Sequence, residues 1–411
     1  MKSLLRREWQ LLLFGLLMTF WSSPGQTFLL ALFGGSIRED LGLSHGEFGG
    51  IYSLATLGSA VLVIWTGSLI DRLPLRRFTI GVLLGLGLAS WLLSSAQQLV
   101  TLALAFLLLR QFGQSLMMLC ASTTLVRYIE ADRGKAVAIG GMGYHLSEAV
   151  LPSLVIALLA VLSWREVLQL QSLVILLAVL PLARVLLRGH DTRHRDYLAR
   201  QQRAASPDIE QQEPATRSWT RAEVLRDPRF YLIAPAILTV SIFFTGFIFH
   251  QIHLTEAKGW SLAVWGSLFV LYAAVTIVSK LVTGVLIDRL GAVRLLPFSP
   301  LPLGLGALLL AGGDHIAVAA GFLGLMAIST GISSTISAPL WAELYGTLHL
   351  GAIKSLTSAA VAFGSALSPF AMGWLIDRGT SIEALALGTV AYVIVAIILA
   401  RLALRYSATV H

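Results

Sequence analysis

Of the 411 residues, 56% are hydrophobic and only 13% are charged. A soluble protein of this length needs far more charge on its surface, so lipid is the solvent for most of the chain. The net charge of +8 would suit nucleic acid, but the basic residues fall in short turns and one linker, as in the cytoplasmic loops of membrane proteins, so no nucleic-acid partner is expected. The lone cysteine, Cys120, excludes an intramolecular disulfide and reads as a small core residue. No nucleophile–base pair, phosphate-cradling loop or metal-ligand cluster stands out, so neither an enzyme nor a cofactor is expected.

In chain order, Lys2, Arg6 and Arg7 precede an apolar run that lasts to about Ile37. It exceeds the roughly 7–15 residues of a cleavable signal and reaches the roughly 20 needed to cross the hydrocarbon. Twelve spans are predicted, at about 10–36, 47–70, 76–96, 99–126, 135–162, 166–187, 230–255, 260–286, 294–312, 315–340, 351–376 and 382–404. Span 1 carries Ser23-Pro24-Gly25-Gln26 at its midpoint. Pro and Gly together weaken the helix and free backbone groups, a pointer to a binding site at which Gln26 is a neutral donor; a packing kink is the competing reading.

After span 2 comes a charged turn, Gly67-Ser68-Leu69-Ile70-Asp71-Arg72-Leu73-Pro74-Leu75-Arg76-Arg77, repeated 217 residues later at Gly284-Val285-Leu286-Ile287-Asp288-Arg289-Leu290-Gly291-Ala292-Val293-Arg294. The same offset carries Gly42-Leu43-Ser44 onto Gly259-Trp260-Ser261, Gly134 onto Gly351, Pro152 onto Pro369 and Glu166 onto Glu383. The chain is therefore two copies of one unit: a six-span bundle over 1–187, a cytoplasmic linker over 188–229, and a second six-span bundle over 230–411. Duplicated membrane bundles are characteristic of secondary transporters, whose halves rock about a shared site.

Within the turn, Gly67 and Gly284 would permit close helix approach. Asp71 and Asp288 sit at helix ends, where a carboxylate pairs with an arginine or meets the positive N-terminus of another helix. With Arg72, Arg76, Arg77 and Arg289 they are expected to form a cytoplasmic gate. Topological anchoring alone would account for Arg76 and Arg77 but not for the acids. A third copy, Gly373-Trp374-Leu375-Ile376-Asp377-Arg378-Gly379, falls on the other side by topology and reads as a turn cap.

Ionisable groups at bilayer depth cost about 2.5–3.5 kcal/mol each even on the gentler scale, which marks them as site candidates. Arg110 in span 4 and Glu148 in span 5 lie equally far from the hairpin at residue 129, so they are expected level with each other, and Gln114 and His145 one turn away. Two readings stay open: a structural ion pair, or a pair bordering the cavity that changes partner when substrate or a proton arrives. By the 217-residue offset Arg110 maps onto Ala327, Glu148 onto Ser365 and Lys280 onto Val63. Charges present in one copy only are not demanded by the shared fold. Lys280 lies about two turns from Asp288 in span 8 and is expected to face the pathway.

The long polar stretch Arg188–Arg229 reads as a solvated linker, disordered in its middle. Its His190-Asp191-Thr192-Arg193-His194-Arg195-Asp196 has only generic spacing for a metal, and a charged linker is the better reading. Thr220-Arg221-Ala222-Glu223 fits a capping box opening a short interfacial helix. With the N-terminus inside, 24 of the 30 Lys and Arg fall on cytoplasmic segments, which places both termini in the cytoplasm of an integral inner (plasma) membrane protein.

The Gly-x-x-x-Asp-Arg turn with Arg76-Arg77, present in both halves of a twelve-span chain, resembles the cytoplasmic signature of the major facilitator superfamily. Pro74 departs from it, standing where that family usually has glycine. The resemblance implies an all-α membrane fold of two pseudo-symmetric six-helix bundles, here a monomer moving a small molecule by alternating access. Arg110-Gln111-Phe112-Gly113 is similar to the family's span-4 arginine element. Ser147-Glu148-Ala149-Val150-Leu151-Pro152 occupies the place of its antiporter element but lacks the paired glycines. Lys280-Leu281-Val282-Thr283-Gly284 is similar to the monocarboxylate and oxalate/formate branch. Two cations against one anion at membrane depth favour an anionic substrate. The expectation is proton-coupled transport of a monocarboxylate-like anion: Arg110 and Lys280 on the carboxylate, Gln26 and Gln114 beside them, and Glu148 or His145 carrying the proton. Efflux of lipophilic drugs or cations and a non-transporting membrane sensor are the alternatives.

Overall fold

The computed structural model describes residues 2–129, 132–190, 193–194 and 218–408. It is helical, with no strand among the described residues. Backbone groups in hydrocarbon have no water to bond, so each span satisfies its own as a helix. Among the described residues eleven helices are long and apolar enough to cross a bilayer: His45–Arg72, Leu75–Ser94, Leu99–Tyr128, Arg133–Leu159, Trp164–Leu186, Pro228–Phe249, Leu262–Leu290, Ala292–Gly312, Ile316–Tyr345, Leu350–Asp377 and Ile382–Leu404. These are spans 2–12. Span 1 is a bent pair, Leu4–Gly25 and Thr27–Leu41, at 46° to each other.

The chain separates into two compact units, one of Met1–Leu43 and Leu54–Gln211, the other of Ser44–Ser53 and Gln212–His411. The repeat is visible in each. Gly42 and Gly259 both adopt left-handed backbone, at φ 62° and 64°, where a side chain would be strained.

The two charged turns have diverged. In the first unit the helix breaks at Gly67-Ser68, resumes as Leu69–Arg72, and Pro74 (φ −54°, ψ 132°) leads into span 3. In the second, span 8 runs unbroken through Gly284 to Leu290 and turns on Gly291 at φ 82°, a conformation closed to proline. The acids are used differently too. Asp71 pairs with Arg127 of span 4, whose guanidinium also donates to Ile70 O at 3.2 Å. In the second unit Glu343 of span 10 accepts the Ala292 and Val293 amides at 2.8 and 3.0 Å, capping span 9. Arg72, Arg76, Arg77, Asp288 and Arg289 are exposed. A Cβ on Gly67 would lie 2.6 Å from Val63 O and 3.3 Å from Leu119 Cδ2, whereas one on Gly284 would meet nothing within 4 Å. The close helix approach expected of Gly284 is therefore not made, because the uninterrupted helix there faces open space.

The opposite ends of the bundles are braced by ion pairs. In the first unit Arg165 pairs with Asp40 and lies over the Trp164 ring. In the second, the buried Lys258 sits between Asp314 and Glu383, at 2.6 and 2.5 Å. Burial works against its charge, but the two carboxylate hydrogen bonds win and hold the ammonium above the usual lysine range. The linker's beginning folds onto the first unit, with Arg193 paired to Glu8 and His194 Nδ1 3.0 Å from Tyr128 Oη. Its end forms the expected capping box, and helix Arg221–Arg226 buries Val224 beside Ile233, Leu340 and Trp341. The middle expected to be disordered, and much of the His/Asp-containing stretch, lie outside the described residues.

Ser44–Ser53, which the sequence assigns to the first bundle, packs within the second unit. Glycines allow it: a Cβ on Gly49 would lie 2.4 Å from Pro369 O, and one on Gly373 2.4 Å from His45 O. Asp377 accepts the His45 and Gly46 amides at 2.9 and 2.7 Å. The third motif copy thus caps a neighbouring helix as well as ending its own, while Arg378 lies over Trp374. Asp377→Ala is expected to remove about 1 kcal/mol of stability and lower the thermal midpoint in detergent; Asp377→Asn, which keeps an acceptor, is expected to lose less.

Candidate functional site at the break in span 1

The first helix of the chain, Lys2–Phe20, gives way to a tight turn at Ser23–Gly25. Gln26 is extended (φ −92°, ψ 147°) and the helix resumes at Thr27. Pro24 has no amide to donate and Gly25 no side chain to hold a helix, so the break falls where the sequence is weakest. Polar neighbours take up the freed groups, as hydrocarbon demands. Ser22 Oγ donates to Thr19 O at 2.7 Å, and the Gln26 carbonyl accepts the Leu30 amide at 3.1 Å.

Span 4 is irregular at the same level. Between Leu99–Leu109 and Met118–Tyr128 it widens into a π-helical stretch, Arg110–Met117. Such stretches are frequent at functional sites. The two irregularities touch backbone to backbone. A Cβ on Gly25 would lie 2.2 Å from Leu109 O, and one on Gly113 2.7 Å from Gly25 N. The contact brings Arg110 Nη1 to 2.9 Å from Gly25 O, with the residue 2% exposed.

Span 5 completes the site. Ser23 and Ser147 Oγ are 2.6 Å apart, and Ser147 donates on to Tyr144 O at 2.7 Å. The next residue, Glu148, is 2% exposed, and its Oε2 lies 2.8 Å from His145 Nδ1. Arg110 and Glu148 therefore both adjoin the break, Arg110 through Gly25 and Glu148 through its neighbour Ser147. Arg110 donates to a neutral carbonyl, and Glu148 bonds an imidazole. Gln26 is buried at the break, and Gln114 is half-buried in the π-helical stretch. Lys280 lies in the second unit, half-buried on span 8, about 12 Å along the helix from Asp288 at 1.5 Å per residue.

Sequence reasoning missed Gln111. It accepts from Ser59 Oγ at 3.0 Å and donates to Thr66 Oγ1 at 2.7 Å, binding span 2 to span 4. Its signal was its place beside Arg110. Ser23 and Ser147 were inside quoted stretches but carried no role, because a hydroxyl in a helix normally satisfies itself on its own backbone.

The arrangement offers a buried guanidinium, a carboxylate hydrogen-bonded to an imidazole, and side-chain amides in one broken-helix environment. Gly113→Ala is expected to cost about 1–3 kcal/mol through overpacking and to lower the thermal midpoint. Gly141→Ala, where a Cβ meets nothing within 4 Å, serves as the control expected to change it little.

A family model, Major Facilitator Superfamily, matches residues 12–253 and again 233–410. No curated protein matches the chain. Among solved structures, a bacterial homolog of the human lysosomal transporter Spinster, inward-facing and unoccupied, superposes with a TM-score of 0.63 at 14% identity. The same homolog, inward-facing and occupied, gives 0.67 at 14% identity. Each match covers 96% of both chains, a likeness of fold. Two copies of a six-span unit, a broken first span and a family match to both halves lead to one conclusion: the chain belongs to the Major Facilitator Superfamily of membrane transporters.

Proposed function

We propose that this chain is a secondary active transporter of a small organic anion of the monocarboxylate type, working by alternating access and coupled to protons. The observation that carries the reading is a guanidinium, 2% exposed, at the break in span 1, a break that also adjoins, through Ser147, a buried carboxylate hydrogen-bonded to His145. A charge at that depth is expensive to keep, and the fold does not require it. In the second unit the position equivalent to Glu148 is Ser365, which simply shares a 2.9 Å hydrogen bond with Thr245, and the equivalent of Arg110 is Ala327.

Arg110 and Lys280 supply the cations that the anion meets, Arg110 as a planar fork and Lys280 as a point charge. Gln26 and Gln114 add neutral donors. Glu148 and His145, 2.8 Å apart, hold the coupling proton; an imidazole and a carboxylate in contact differ by one proton between their paired and loaded forms. Asp71, paired with Arg127, and the exposed charges of both turns act as the cytoplasmic gate. The distribution of Lys and Arg supports an inner-membrane location with both ends in the cytoplasm. The solved structures of similar fold, inward-facing in unoccupied and occupied forms, support a cycle of alternating access.

Reconstituted vesicles test this. Arg110→Gln and Lys280→Gln are each expected to lower the uptake of labelled carboxylate at subsaturating concentration by tenfold or more, the loss of one charge-assisted hydrogen bond. Glu148→Gln is expected to abolish the stimulation by an inward proton gradient. Uptake that survives both cation replacements unchanged refutes the reading, and competition by quaternary amines in place of carboxylates transfers it to cation efflux.

A further inference from the structure

In the second unit, span 8 packs on span 10, and span 9 packs on spans 10 and 12. Span 10 is therefore the floor between two walls. Span 8 seats closely on it, since a Cβ on Gly331 would lie 2.5 Å from Ser279 Oγ. The groove left between spans 8 and 9 measures about 560 Å³. Ile328 and Ile332 form its floor, with Val275, Val278 and Val282 on one wall and Phe298 on the other. Val278, Val282 and Phe298 are exposed in the whole chain. The polar residues of the lining, Ser279 and Thr283, are buried, and Ser279 donates to Ile328 O at 2.9 Å.

The dimensions suit a hydrocarbon chain. Along span 8 the lining runs from Val275 to Leu286, about 16 Å at 1.5 Å per residue. That is close to half of the roughly 30 Å hydrocarbon thickness, one leaflet. The volume holds roughly eighteen groups of water size at about 30 Å³ each, the bulk of one acyl chain. One end of the groove is basic. Arg289 follows Leu286, Arg294 precedes Leu295, and the Arg401 guanidinium of span 12 lies 6.0 Å from the centre of the Phe298 ring. All three arginines are exposed, with Asp288 as the exposed acid beside them.

The repeat shows which part is special. By the 217-residue offset Arg401 maps onto Arg184 and Arg294 onto Arg77, so both copies carry a basic end. The groove's surfaces differ: Ile328 maps onto Gln111, Ile332 onto Ser115 and Phe298 onto Gly81. Where Gln111 ties span 2 to span 4 by hydrogen bonds, Ile328 leaves the floor apolar.

We propose that this groove is the seat of one resident phospholipid with an anionic headgroup. One acyl chain lies along span 8 on Ile328 and Ile332, and Arg294 and Arg401, the latter placed over Phe298, meet the phosphate. Guanidinium forks match phosphate geometry. Three arginines against one carboxylate disfavour a zwitterionic headgroup, whose ammonium they repel. The lipid is a fixed part of the second unit and not cargo, and the assignment does not depend on the anion reading.

The test uses the full chain, purified in detergent and stripped of lipid. Phosphatidylglycerol and phosphatidylcholine with the same chains are offered together, and bound lipid is counted by native mass spectrometry. One phosphatidylglycerol is expected to bind about tenfold more tightly or better, the combined effect of two arginines. Arg401→Gln is expected to weaken it roughly fivefold, the effect of one basic residue near a lipid surface. Arg184→Gln, the matching change in the first copy, is expected to leave it unchanged. Val278→Trp, which fills the groove from its exposed wall, is expected to abolish the tight binding; where it lowers the lipid-free thermal midpoint, Val282→Trp one turn on takes its place. Glycerol 1-phosphate, a headgroup without chains, is expected to displace nothing. The proposal is overturned if the two lipids bind alike, if Arg401→Gln and Arg184→Gln act equally, if neither tryptophan weakens binding, or if glycerol 1-phosphate competes.

Discussion

In the first unit, Gly25 in the break of span 1 lies against Gly113 in the widened turn of span 4, main chain on main chain at membrane depth. Neither tolerates a side chain. A helix break in hydrocarbon survives only where its freed carbonyls find donors, and one of those donors is the Arg110 guanidinium. The contact therefore explains two features together. It lets span 1 bend by 46°, and it gives a buried cation a carbonyl to hold, so that the charge is oriented toward the break before any substrate arrives.

From that contact the polar chemistry spreads along neighbouring helices. Ser23 reaches Ser147, Ser147 precedes Glu148, and Glu148 is held by His145 one turn earlier. Gln111 links the same stretch of span 4 to Ser59 and Thr66 of span 2. Glu148 is thus one residue along span 5 from a hydroxyl that touches the break. The second unit carries no such charges at the matching positions and fills its own equivalent stretch with hydroxyls. Duplication has supplied one scaffold and divergence has given its copies different chemistries.

The turns show how a repeat diverges by single residues. Pro74 cannot enter the left-handed conformation that Gly291 adopts, so the first copy breaks its helix earlier and the second runs it to the end. Asp71 finds Arg127, while in the second unit the capping acid is Glu343 and Asp288 stays exposed. The acid of the third copy, Asp377, performs the helix-capping role that the sequence suggested for the other two.

The sequence alone determined the fold class, because a run of twenty apolar residues has one stable form in lipid and because the 217-residue offset states the duplication outright. It also located the weak point of span 1 and the capping box at Thr220, both of which depend on local chemistry and helical spacing. What it left open were contacts between residues far apart in the chain. That Gly25 meets Gly113, that Arg110 holds a carbonyl, that Asp377 caps span 2 and that Gly284 approaches nothing were decided by packing. Side-chain direction about a helix and the fit of two backbones are properties of the assembled bundle, and no spacing rule within one span contains them.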